Sequence, residues 1–453
     1  MPSRAFRKGS ALITCMIFLV VFTALAVGLA SMSGANLQIA GNQRQANQAF
    51  ASAESGLEVV RYWLSRVRIP SSTPVEEYLT AVILAVQGDL LTNGISNVVL
   101  NSDGSIPPVI VEPTAGQSFS GKISTDPTDP AVILVCVKGE SRQAARTIKV
   151  EYAIEPYRFP IFNYGVATKG ALQFPRNPTL RGAVENWEAD IYVESANSIT
   201  AVEVGGNTNF DGNIDIGNSL ATVNFHGDVN IAGQHGQPAI DNHVTFGAEP
   251  VEFPIPETDP FLTYATGPVI DKVTDLSNSM TLVNAVGRAG TNPIFLGNVV
   301  IQGILFIEQP NQAAFTRNVS LQGIIVANGD ASAPGTNQIG FAGNFASGPY
   351  PSDSQFDAIR KEIGSSILAP GFGVSFTGNF ASVNGVMAAS SLYFSSNASA
   401  IVKGTMISYS PDATRVDGNI SMTFDRAAMV EIPAGFDLLR VLTYKPASYA
   451  IVL

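Results

Sequence analysis

Three histidines, His226, His235 and His243, fall within eighteen residues, and a trio of imidazoles is the first place to look for zinc. Their spacing fits no standard ligand motif and no cysteine is near, so they read as loop residues. Asp211-Gly-Asn213-Ile-Asp215 imitates the opening of a calcium loop, which supplies oxygen ligands at alternate positions. Such a loop needs Gly at its sixth position and Glu at its twelfth; Ile216 and Thr222 stand there, so an incidental turn is expected. Cys15 lies in a hydrophobic segment and Cys136 in the apolar run Val132–Val137, and no disulfide between them is expected. Asp and Glu are common, as in polysaccharide-cleaving β-helices, but a sequence does not set two carboxylates at working distance. There is no phosphate loop, no Gly-x-Ser-x-Gly elbow and no His-Glu-x-x-His. The chain is therefore expected to be non-enzymatic, with no metal and no cofactor.

Composition narrows the class. Only 14% of residues are charged and 45% are apolar, with 41 Gly and 27 Pro. That is too apolar for disorder and too rich in turn formers for an all-helical protein, so many short strands are expected. Charge is unevenly placed. Up to Ile69 the balance is +5, and the remainder carries −16 of the overall −11. An acidic body without clustered Lys and Arg argues against nucleic acid as a partner.

The elements that would position any function begin at the N-terminus. Arg4, Arg7 and Lys8 precede Ser10–Ala30, an uncharged stretch, and no charge follows until Arg44. About twenty such residues span a bilayer core as a helix, with the basic cluster on the cytoplasmic side. Leu12, Ile13, Thr14, Phe18, Leu19 and Phe22 belong to this stretch. A cleaved secretory signal would have a shorter apolar region followed by unrelated sequence. A lipoprotein signal at Leu12–Cys15 fails on order, because its hydrophobic part follows the cysteine. Here the helical pattern continues: Ala46, Phe50, Ala53, Leu57, Val60, Leu64 and Val67 recur at alternating spacings of four and three. The spacing predicts one continuous helix from Ser10 to Ile69, about 90 Å long, stopped by Pro70. Gly28, Gly34 and Gly41 are expected weak points.

A basic leader ending in Gly9, then SALITCMIFLVVFTALAVGLASMS, then AGNQRQANQAFASAESGLE resembles type IV prepilins, and more closely minor pilins of the PilX type. The matching positions are Ala40–Arg44, Ala49–Phe50 and Ala53–Glu58. The resemblance implies cleavage after Gly9 by a prepilin peptidase and methylation of Ser10. It also implies partnership with other pilins through their N-terminal helices. Most major pilins carry Glu at the fifth mature position, where this chain has Thr14. That departure suits a minor or tip-type subunit, since a carboxylate in lipid is costly and would serve to pair a neighbour's terminal amine.

The body divides by texture. An α+β fold is expected: a leader (1–9), the long helix (10–69, with 10–30 in the membrane), a small antiparallel headgroup (70–158) and a mainly β domain (159–453). The headgroup should hold a helix at Val75–Leu91 and strands at Pro107–Glu112, Ala131–Lys138 and Ala144–Ile154, the last two joined by a turn over Gly139–Gln143. In the β domain, Gly297–Ile307 aligns with Arg317–Ala327 at a separation of twenty residues. Looser copies stand at Gly212–Ile216, Gly227–Ile231, Gly378–Phe380, Asn397–Ile407 and Gly418–Met422. That period suits one coil of an interrupted parallel β-helix, with Gly and Asn taking positive φ at the corners; a β-sandwich is the alternative. Leu438–Leu453 is expected to cover the open end of the stack. Two functions fit: a pilin or pseudopilin of a type IV pilus or type II secretion filament in the bacterial inner membrane, or an anchored β-helical adhesin or polysaccharide-acting enzyme.

Overall fold

The computed structural model describes residues 10–331, 335–395, 399–418, 420–427 and 429–452, and Gly9 lies outside them. The chain forms two compact units, one from the described part of Met1–Pro156 with that of Leu439–Leu453, the other Tyr157–Leu438.

In the first unit the helix α1 (Ser10–Arg66) runs without a break through Gly28, Gly34 and Gly41. It ends three residues before the predicted stop, because Ile69–Pro70 is drawn into an antiparallel pairing with Leu439–Arg440. After α2 (Tyr78–Thr92) come four strands: β1 (Ser105–Glu112), β2 (Gln117–Thr125), β3 (Val132–Ser141) and β4 (Ala144–Pro156). The β3–β4 turn is tighter than predicted, with Arg142 at φ 53°. The C-terminal strand Leu439–Val452 corrects the sequence reading. It does not cover the other unit but pairs antiparallel with β4, from Arg440 opposite Pro156 to Val452 opposite Thr147. The cause is an otherwise open edge: β4 needs a partner for its backbone groups, and Tyr444 packs against the buried Tyr152 with ring centroids 5.6 Å apart and the rings tilted by 52°.

The second unit therefore interrupts the chain between two paired strands. Its strands pair in parallel at almost every contact, which rules out the sandwich alternative and gives a β-helix-like stack. The repeat seen in the sequence is a literal register, with Val299–Ile307 lying against Val319–Ala327 residue for residue. Inward side chains stack at the coil spacing expected of neighbouring strands, about 4.8 Å. Phe295, Phe315, Phe341, Phe376 and Phe394 form one column, with centroids 4.5, 5.1, 5.0 and 5.2 Å apart and rings within 13° of parallel.

The corner residues meet the expectation at Gly418, which has φ 105°, and differ from it elsewhere. Gly297, Gly343 and Gly378 do not have positive φ. A Cβ on any of them would fall 2.2–2.3 Å from the backbone of the adjacent coil, so glycine is required by close approach. The asparagine that follows links coils. The Asn318 amide N–H donates to Asn298 Oδ1 (3.2 Å), and that of Asn344 donates to Asn318 Oδ1 (3.1 Å).

Coil order is not sequence order. The first strand, Val166–Thr168, has Ile191–Val193 on one side and Met406–Ser408 on the other. The chain thus enters mid-stack, winds outward to Val244–Phe246, and crosses back along residues 247–268. It then restarts at Val269–Ile270 and winds inward until Ser421–Phe424 meets Thr179–Gly182. The return segment is pinned on the way: Tyr409 Oη donates to the Pro254 carbonyl (2.6 Å), Glu257 N–H to the Gly435 carbonyl (2.9 Å), and Tyr264 Oη to Glu362 Oε1 (2.7 Å).

Where the halves meet, two charges are fully or nearly buried. Glu188 accepts backbone N–H bonds from Val184 and Glu185 on one oxygen and from Arg426 and Ala427 on the other, at 2.7–3.0 Å. Burial pushes its carboxyl up, but the four amides outweigh that and hold it below the ordinary value. Arg426 donates to the carbonyls of Phe162 and Asn163, and its guanidinium lies 5.4 Å over the Trp187 ring. Arg426→Ala should strip these carbonyls of their donor and destabilise the second unit by about 3–5 kcal/mol. Urea unfolding followed by near-UV circular dichroism measures it; a loss below about 1 kcal/mol would mean the joint does not depend on this side chain.

Candidate functional site

The features that could act are the two halves of α1. Along its first half Leu12, Ile13, Phe18, Leu19 and Phe22 are 58–69% exposed, and the helix is long and apolar enough to cross a membrane. Thr14 lies in the same exposed turn. In water this surface would be expensive to leave uncovered.

The second half is a docking face. Leu57, Val60, Leu64 and Val67 are buried as predicted, together with Ala53. The predicted seam is displaced at its start: Ala46 and Phe50 are only half-buried, and Ala49 takes the central place. Sequence reasoning also missed Ser52, Gly56 and Trp63, all buried. The reason is size. An apolar period finds large side chains, whereas here the contact is closest where side chains are smallest. A Cβ on Gly56 would sit 2.6 Å from the Phe119 ring of β2. One on Gly139 of β3 would sit 2.1 Å from the Ala49 carbonyl oxygen and 2.3 Å from the Ala53 nitrogen. Helix backbone and strand backbone are in direct contact, and Ala-x-x-Ser-Ala-x-x-Gly is the pattern that permits it.

Polar contacts flank the seam. Ser141 Oγ donates to Gln48 Oε1 (3.2 Å). The Arg61 guanidinium lies 4.7 Å above the Tyr444 ring, joining the helix to the C-terminal strand. Arg66 meets Asp89 of α2 at 3.0 Å, and the Asp89 carboxylate raises its pKa, aided by the Tyr62 hydroxyl.

Residues 8–58 match a family model described as PilX N-terminal. That segment is similar to the PilX N-terminal region. Its matched span closes at Glu58, just after Ala49, Ala53, Gly56 and Leu57, so the PilX-type segment holds the closest part of the docking seam. Comparison with curated proteins gives no match. Among solved structures, the competence-associated pilin ComZ from Thermus thermophilus is similar over 90% of this chain and 98% of that one, at 13% identity. The TM-score is 0.22, too low to superimpose the two folds.

The other sequence candidates are kept apart. The acidic turn is consumed by the scaffold: Tyr164 Oη donates to Asp215 Oδ2 (2.9 Å), the Asn213 amide donates to Asp190 Oδ1 (2.7 Å), and His243 Nδ1 lies 2.8 Å from Asn213 Oδ1. His226 sits beside Asn224, and His235 in a two-residue strand. Among the described residues no group of three His, Cys, Asp or Glu is placed to hold a metal. Cys15 and Cys136 are both free.

Two outcomes follow. Gly139→Val should drive a side chain into the helix backbone and cost about 3 kcal/mol, seen as a lower urea midpoint for the first unit. An unchanged midpoint would place the helix farther from β3 than described. The second concerns pH. The Asp190 carboxyl is pushed up to about 6, chiefly by burial and also by Asp215, against the opposing Asn213 amide. Between roughly pH 4 and 6 the unfolded chain ionises while the folded one keeps its proton, so this group lowers stability as pH rises. Asp190→Asn keeps the acceptor and removes the ionisation. Its melting temperature should equal the native value near pH 4 and exceed it near pH 7; equal values at both would sink the assignment.

Proposed function

We propose that this protein is a pilin-like structural subunit, a minor pilin or pseudopilin, of a bacterial type IV pilus or type II secretion filament. The observation that carries it is the division of α1 into an exposed apolar half and a half docked through the PilX-type small-residue seam. The exposed half would hold the subunit in the inner membrane with its basic leader inside. It would then pack beside the helices of other pilins, exchanging lipid for protein contacts without uncovering apolar surface to water. Both β-rich units would lie outside the cytoplasm, where they serve assembly or adhesion; the role is non-enzymatic. Thr14 supports a minor subunit, because its uncharged side chain offers no carboxylate for a neighbour's terminal amine.

Coexpression with a prepilin peptidase, followed by mass spectrometry of the N-terminus, tests this reading. A methylated Ser10 appearing only with the peptidase is expected. Retention of Met1 or Pro2 would instead leave a signal anchor.

A further inference from the structure

One row of outward side chains can be followed along a single face of the β-helix-like unit. It begins with Ile294, Ala314, Gly340 and Ser375, each opposite the next in parallel register. It continues with Tyr393, Arg415, Gln173, Glu203 and Asn224. Four coils thus present an aliphatic residue, a bare backbone or a small side chain. The next five present a phenol, a guanidinium, an amide, a carboxylate and an amide, one per coil. The change occurs within the later half, between Ser375 and Tyr393, and the polar stretch then crosses the joint from Arg415 to Gln173, so residues far apart in sequence share this surface.

These groups are held ready. Gln173 Nε2 donates to Glu203 Oε2 (3.3 Å), and His226 Nε2 stands 3.8 Å from Glu203 Oε1. Asp417 receives Arg415 Nε (2.9 Å) and Tyr393 Oη (3.0 Å) on its two oxygens. Two adjoining cavities, of about 240 and 920 Å³, open over the row and share Pro175 and Arg415. Arg176 lines the larger one.

The chemistry selects the ligand. Arg176 and Arg415 are matched by Glu203 and Asp417, so the groove has little net charge and does not suit a phosphate backbone or a polyanion. Hydrogen-bonding side chains recur at the coil repeat of about 4.8 Å, near the length of one sugar in an extended chain. Planar side chains, each able to pair with a hydroxyl, and an aromatic ring at one end complete a surface for polyols. We infer that this groove binds a neutral, linear polysaccharide lying along the axis of the coil stack. The inference concerns the outer face of the second unit and is independent of how α1 assembles.

The full chain in detergent should be titrated calorimetrically with cellohexaose, laminarihexaose, chitohexaose and mannohexaose, and with alginate and heparin oligosaccharides as anionic probes. At least one neutral hexaose is expected to bind, with little dependence on added salt. Gln173→Ala combined with Glu203→Ala should weaken it by about tenfold or more, and Glu203→Gln, which keeps the shape, should weaken it less. Three results would overturn the inference: no neutral hexaose binds, the variants bind as the native protein does, or binding is confined to the anionic probes and falls steeply with salt. The N-terminal processing result is unaffected in each case.

Discussion

The buried joint around Glu188 and Arg426 is the constraint on which the second unit turns. A parallel stack can be cut anywhere if its two exposed coil edges find each other again. Here the chain enters at the cut, builds one half outward, returns along residues 247–268 and builds the other half inward. The last coil must then meet the first in register. Backbone pairing alone would permit a slip by two residues with little loss. A carboxylate that accepts amides from both sides, beside a guanidinium bound to entry carbonyls, has one satisfying position. Unsatisfied, either charge would be costly to bury. Within the later half the Phe column sets the register, since a displaced coil there would break ring stacking on both sides.

The first unit solves a different problem. A helix that is apolar at one end and docked at the other must hold its body firmly although only half its length is available. Small residues provide this by letting backbone approach backbone. Dispersion contacts then accumulate over the face, with Leu57, Val60 and Leu64 filling the space beside the seam. The C-terminal strand completes the sheet against β4 and touches the later half of the helix through Tyr444 and Arg61.

Much of this was legible in the sequence. The helix, its apolar half, most of the seam, β3 and β4, and the twenty-residue repeat are all periodic, and periodicity is what local sequence exposes. Gly297–Ile307 and Arg317–Ala327 became direct neighbours because each residue meets its own counterpart one coil away. What escaped notice is non-local. Val166-Ala-Thr168 and Met406-Ile-Ser408 are three-residue strands with nothing in common except their partners, so the order of coils is invisible. Glu188 and Arg426 are isolated charges that gain meaning only when brought together. Gly56 and Gly139 look like helix and strand weaknesses until their neighbours are known. Crowding selects the corner glycines Gly297, Gly343 and Gly378, whereas Gly418 takes the expected positive φ of 105°.

The mid-stack entry also bears on mechanical force. Both connections to the second unit leave from the joint, where Phe162 and Phe436 lie with ring centroids 5.0 Å apart. The strands they lead to are already paired, Pro156 opposite Arg440. Tension arriving through α1 would pass within the small sheet, across the hydrogen bonds between β4 and the C-terminal strand. Residues 157–438 form a covalent loop between those two paired strands, and that loop is bypassed while the strands hold. A load applied between α1 and the C-terminal strand is thereby borne by backbone hydrogen bonds of the small sheet and spares the inserted coils.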